Sequence, residues 1–66
     1  MCLVAVYVEQ PNRSGERRLA LSDVAFVECA DDGVTVTDLF GRSETFEARV
    51  RTIDLVRNEV VLEQRE

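Results

Sequence analysis

The sequence contains no histidine, lysine or tryptophan, and only one proline, one methionine and two cysteines among its 66 residues. Without histidine the chain lacks the usual general base at neutral pH and the usual imidazole metal ligand; without lysine it lacks a Schiff-base nucleophile. Ordinary enzyme chemistry is disfavoured on that ground. A Ser/His/Asp set, a glycine-rich phosphate loop and a Cys-x-x-Cys pair are also missing. The longest aliphatic and aromatic run, Leu3 to Val8, falls far short of the ~20 residues a membrane-spanning helix needs, and no basic segment precedes it. The expectation is a cytoplasmic chain with no membrane span.

Thirteen acidic groups oppose eight basic ones, all of them arginine, for a formal net charge of −5. Such a field repels phosphate polyanions, so nucleic acid is a disfavoured partner. Apolar residues make up 45% of the chain and charged ones 32%, which over residues 1–66 supports one small domain and leaves nothing for a second core. A domain of this size hides only roughly 60% of the surface its unfolded chain exposes. A partner subunit, and so a homodimer, is the default expectation.

The proline and the three glycines punctuate apolar runs. Leu3 to Val8 is rich in β-branched residues and stops before Pro11, which predicts a strand followed by a polar loop to Arg18. Leu19-Ala20-Leu21 forms a short apolar patch, Ser22-Asp23 reads as a turn, and Val24 to Ala30 as a strand. Asp31-Asp32-Gly33 predicts a hairpin into Val34-Thr35-Val36-Thr37, whose valines face the core and whose threonines face the other way. Broken alternation predicts bulges near Asp38 and near Arg51-Thr52. Gly41-Arg42 and Arg57-Asn58 supply turns. Five or six short strands without a helix predict an all-β domain, a small antiparallel barrel of SH3-like or Sm-like size.

Cys2 is the candidate site residue. A thiol at the second position lies beside the chain's own α-amine, so soft sulfur and hard nitrogen donors fall within one chelate. With Met1 retained, the Met1 amine, the Cys2 amide nitrogen and the Cys2 thiolate close two fused five-membered rings around one metal. With Met1 removed, the Cys2 amine and thiolate still close one. Square-planar nitrogen and sulfur donation favours Ni(II) or Cu(II) over Mg or Ca, and zinc would need more tetrahedral ligands than this chain offers. A twofold dimer would double the donor count and place one metal per dimer. On position alone, a small hydrophobe at the head of a core strand is the favoured reading of Cys2, since free cysteine is often buried.

Other chemistry-bearing residues have structural readings. Cys29 sits in an apolar strand and is expected to pack there. Asp31-Asp32 before Gly33 is turn chemistry. Arg13, Arg17 and Arg18 form a solvated loop offset by Glu9 and Glu16. Tyr7, Phe26, Phe40 and Phe46 could stack bases, as in single-strand binders, but in so small a domain most are expected in the core. An RNA-binding barrel and a protein interaction module are the alternatives to a metal-binding role.

Met1-Cys2-Leu3 leading into Val6-Tyr7, then Leu21-Ser22-Asp23-Val24, Leu39-Phe40-Gly41, Ile53-Asp54-Leu55 and Val61-Leu62-Glu63, resembles the CooT family. That family comprises small nickel-binding proteins named for an accessory protein of carbon monoxide dehydrogenase maturation, some also labelled RNA-binding. The resemblance spans the whole chain, and its most specific element is Met-Cys at the extreme N-terminus. It implies a non-enzymatic homodimer that binds Ni(II) through Cys2 and delivers or buffers the metal for a client nickel enzyme or its maturation factors.

Overall fold

The computed structural model describes residues 3–12 and 16–65. It contains β1 (Val4–Glu9), β2 (Arg17–Ala30), β3 (Gly33–Asp38), β4 (Ser43–Phe46), β5 (Ala48–Asp54) and β6 (Glu59–Gln64). No helix among the described residues is long and apolar enough to cross a membrane.

The strands form one sheet in the order β4-β3-β2-β1-β6-β5. The all-β expectation holds, but two features of the expected barrel do not. First, the sheet is mixed: β1 runs parallel to β6, pairing Val6 with Val60 and Val8 with Leu62, while the other neighbours are antiparallel. Second, the ladder does not close into a barrel, because β4 and β5 are its two edges. Only Glu47 separates those edges along the chain, and the sheet coils enough for β3 to approach β5.

β2 also departs from the expected pattern. Leu19-Ala20-Leu21, Ser22-Asp23 and the segment from Val24 onward belong to one 14-residue strand. Asp23 is a kink within it, with φ 56°, a left-handed conformation that aspartate tolerates better than most residues. The kink lets β2 pair with β1 over its first half and with β3 over its second. The bulge expected near Asp38 lies across the ladder from it, between Val24 and Phe26, and the one expected near Arg51-Thr52 is present between Val50 and Thr52.

Side chains alternate across a strand, and the inward set builds the core. Val6, Val8, Val24, Val34, Val36, Ala48, Val60 and Leu62 are buried together, with Phe46 and Val50 packed against them. Thr35 and Thr37 face outward as expected, where their hydroxyls bond those of Thr45 at 2.9 Å and Ser43 at 2.8 Å. The outer face of the central strands is partly closed as well. Tyr7 is half-buried beside Val61, and the Arg17 guanidinium lies 5.0 Å from its ring centroid. Nearby, the buried Glu9 carboxylate pairs with Arg51, and Arg49 bonds Glu63 at 2.6 Å.

Two burial expectations are corrected. Phe26 and Phe40 are exposed, Tyr7 and Phe46 only half-buried, so the aromatics do not fill the core. Valine and leucine fill it, because a thin coiled sheet has room for β-branched side chains between its layers. Cys29 is exposed rather than packed. It shares the inward parity of Val27 and Val34, but β1 pairs with β2 only as far as Val24 and stops short of it.

Gly33 marks a close approach of β3 to the end of β4. A Cβ there would lie 2.7 Å from the Phe46 carbonyl oxygen, a backbone atom that cannot swing away. Gly33→Ala is therefore expected to destabilise the fold by about 1–3 kcal/mol, as overpacking does. Urea unfolding of the two proteins, with an unchanged slope and a lower midpoint for the variant, checks this.

Candidate functional site

Met1 and Cys2, the residues the sequence nominates, lie outside the described residues. The described part of the fold fixes where they attach. β1 starts at Val4, so Cys2 is two residues away along the chain, a reach of at most about 7 Å. Among the described residues, no three His, Cys, Asp or Glu side chains converge in a way that could hold a metal ion.

The register shows what shares that end of the sheet. Asp38 of β3 pairs with Val24 of β2, Val24 pairs with Val4, and Ala5 pairs with Glu59 at the start of β6. The β3–β4 turn, the β2 kink, the head of β1 and the β5–β6 turn therefore lie side by side. The β2–β3 turn at Asp31-Asp32 and the end of β1 lie at the opposite end.

Both turns beside the head of β1 are organised by an aspartate. Asp38 is buried at 3% exposure, and its Oδ1 accepts the amides of Phe40 at 2.9 Å and Arg42 at 2.8 Å. Its Oδ2 accepts the Arg42 Nε–H at 2.6 Å. The turn is further tied to β2 by the Leu39 amide, which donates to the Asp23 carbonyl at 2.8 Å, and Gly41 completes it at φ 91°. In the second turn, Asp54 Oδ1 accepts the amides of Val56 and Arg57, each at 3.0 Å. Asn58 then turns the chain at φ 56°, and its carbonyl accepts the Ala5 amide at 3.0 Å.

These turns hold apolar residues in the solvent. Leu39 and Phe40 protrude from the first and Leu55 and Val56 from the second, Val56 at 92% exposure. Turn tips are usually polar. Leu39-Phe40 and Leu55-Val56, each interrupting a turn signal, carried this feature in the sequence.

Burial alone would raise the Asp38 carboxyl, but the amides of Arg42 and Phe40 and the Arg42 guanidinium outweigh it and hold it below the usual carboxylate value. A depressed folded-state value means Asp38 stabilises the fold fully above its unfolded value of about 3.9. That contribution fades as pH falls below there through the lower folded value. Thermal unfolding of wild type and Asp38→Asn between roughly pH 2 and pH 7 is expected to show a lower midpoint for the variant at the neutral end of that range. The gap should narrow toward the acid end; a gap independent of pH would contradict it.

Comparison with known proteins places this architecture. A family model for the CO dehydrogenase accessory protein CooT matches residues 1–63. A search of curated proteins found no match. A crystal structure described as that of a candidate CooT from Carboxydothermus hydrogenoformans superimposes with a TM-score of 0.81 over 98% of this chain and 100% of that one. At 18% identity this is a likeness of fold. Since the family match runs from the first residue to within three of the last, the chain belongs to the CooT family of CO dehydrogenase accessory proteins.

Proposed function

We propose that this protein is a non-enzymatic, cytoplasmic Ni(II)-binding accessory protein that carries or buffers the metal for a client nickel enzyme. The observation that supports it most is the family match, which begins at Met1 and so includes the Met-Cys start of the chain. In this reading the Cys2 thiolate is the obligatory ligand and the Met1 amine its chelating neighbour. Neither group alone completes a coordination sphere, so two chains share one ion as a homodimer. Nickel here is cargo.

Ligand deprotonation gives the site a pH dependence. The thiol must lose its proton to bind, so affinity falls as pH falls. Cys29, exposed on β2 and some 27 residues from Cys2, serves as the internal control.

Ni(II) titration of wild type, Cys2→Ser and Cys29→Ser, followed by thiolate-to-nickel absorption and native mass, tests this. Wild type and Cys29→Ser are expected to bind one ion per two chains. Cys2→Ser is expected to lose the absorption band, and more affinity than the roughly 10–100-fold that loss of an outer-shell partner costs. Binding indifferent to Cys2, or none, overturns the nickel reading.

A further inference from the structure

An open strand edge offers a row of unpaired amides and carbonyls to any extended chain, and folded proteins blunt such edges by brevity, bulges, charge or proline. Most open edges of this sheet are blunted in those ways. β4 is four residues long, and β5 is bulged between Val50 and Thr52 and carries Arg49 and Arg51. The half of β2 that pairs with β1 has two register shifts. The other half of β2 differs. β1 pairs with β2 only as far as Val24, so among the described residues no strand lies on the second edge of Phe26 to Ala30. Over those residues β2 pairs with β3 without a shift, from Phe26 with Thr37 to Ala30 with Gly33. The run Ala25-Phe26-Val27-Glu28-Cys29-Ala30 holds one charge and no proline. All of it except Val27 is exposed, Phe26 at 57%. This edge is regular, largely apolar and unprotected.

We infer that residues 25–30 of β2 take an additional strand from a client protein, an extended segment in which basic residues alternate with apolar ones. The inference rests on the accessory reading above and adds to it the surface by which the client is held. In such strand addition, main-chain hydrogen bonds give affinity and the side chains on either face give selection. The two faces here are distinct. Phe26 and Glu28 lie on the face of Thr37 and Thr35, while Val27 and Cys29 lie on that of Val36 and Val34. Cys29 is exposed despite its inward parity, and an added strand would cover it.

Charge selects the occupant. Asp23 at the kink, Glu28 in the strand and Asp31 and Asp32 in the turn are all exposed along this run, against Arg65, which donates to the Asp31 carbonyl. Antiparallel pairing with a second copy, centred on Val27-Glu28, would bring Asp23 close to Asp32 of the partner subunit at both ends. Like charges directly opposite one another destabilise a strand pair. A basic segment meets the opposite condition. An added strand also lies beside Val24, the residue opposite the head of β1, so the client is held next to the strand that Met1 and Cys2 precede in the chain. Six residues of strand span about 20 Å. A contact of that length belongs with the small interfaces of transient encounters, which suits delivery followed by release.

The test uses the full-length protein in EDTA and a fluorescein-labelled peptide alternating valine with arginine, with binding followed by anisotropy. Saturable binding is expected. The same peptide with glutamate in place of arginine is expected to bind about tenfold more weakly, and the peptide N-methylated at every residue not at all. Glu28→Arg is expected to reverse the preference between the two charged peptides, whereas Glu44→Arg, the same change of charge at an exposed position on β4, leaves it as in wild type. Circular dichroism establishes that both variants are folded. Amide hydrogen exchange is expected to show new protection at the amides of residues 25–30 that do not pair with β3. No binding of the basic peptide, binding that survives N-methylation, or an equal effect of Glu28→Arg and Glu44→Arg overturns the proposal. Protection of those amides without peptide also overturns it, assigning the edge to a second copy if dilution abolishes the protection and to the chain's own first residues if it does not. No metal is present, so failure here leaves the nickel titration untouched. Peptide binding by a protein that takes up no nickel defeats the nickel reading alone.

Discussion

The position of β1 between β2 and β6 is the constraint from which the rest of this structure follows. Its inward valines, Val6 and Val8, are buried at 0% and 3% exposure. It is hydrogen-bonded along both edges, antiparallel to β2 and parallel to β6. A parallel pair cannot be joined by a tight turn, and here the whole of β2 to β5 forms the connection. That connection must coil around the core to bring β6 back beside β1. The kink at Asp23, the bulge between Val50 and Thr52 and the close passage at Gly33 are the places where it does so. A central first strand also puts its own first residue, Val4, between neighbours on both sides rather than at a corner of the sheet.

Local features of the fold were legible in the sequence, and non-local ones were not. The hairpin at Asp31-Asp32-Gly33, the outward threonines and the bulge near Arg51-Thr52 follow from alternation and turn chemistry, which involve only near neighbours. The parallel β1–β6 pairing joins residues about fifty positions apart, such as Val6 and Val60, and periodicity contains no information on which strands meet. Ser22-Asp23 was misread for a related reason. Its composition fits a turn, but a left-handed aspartate equally fits a kink within a strand, and the choice depends on whether a neighbour continues the ladder. Cys29 and Phe26 lie in a run that looks like buried strand. They are exposed because β1 begins opposite Val24 and does not run alongside them, a limit set by another part of the chain. Of the candidate site, the sequence supplies the donor chemistry of Met1 and Cys2, and the fold supplies the surroundings of the strand they precede.

Beyond the kink at Asp23, aspartate takes three roles here, separated by environment rather than identity. Asp31 and Asp32 stand in an exposed turn at the charged end. Asp54, half-buried, accepts two amides of the turn it begins. Asp38 is buried, with two amides and a guanidinium as partners, and its charge is offset locally. The acidic excess of the chain therefore does not spread evenly over its surface. At the end where β1 begins, Asp38 and Asp54 are engaged in holding turns, and those turns present Leu39, Phe40, Leu55 and Val56 to solvent.

This division links the fold to its proposed role. Histidine-free and lysine-free, the chain has few side chains able to hold a borderline or soft metal, and the thiol beside its own amine is the best donor set available to it. Two or three donors hold a metal poorly in isolation. A second copy supplies the remainder only if some surface brings two chain starts together, and a uniformly charged surface on a chain of net charge −5 would keep them apart.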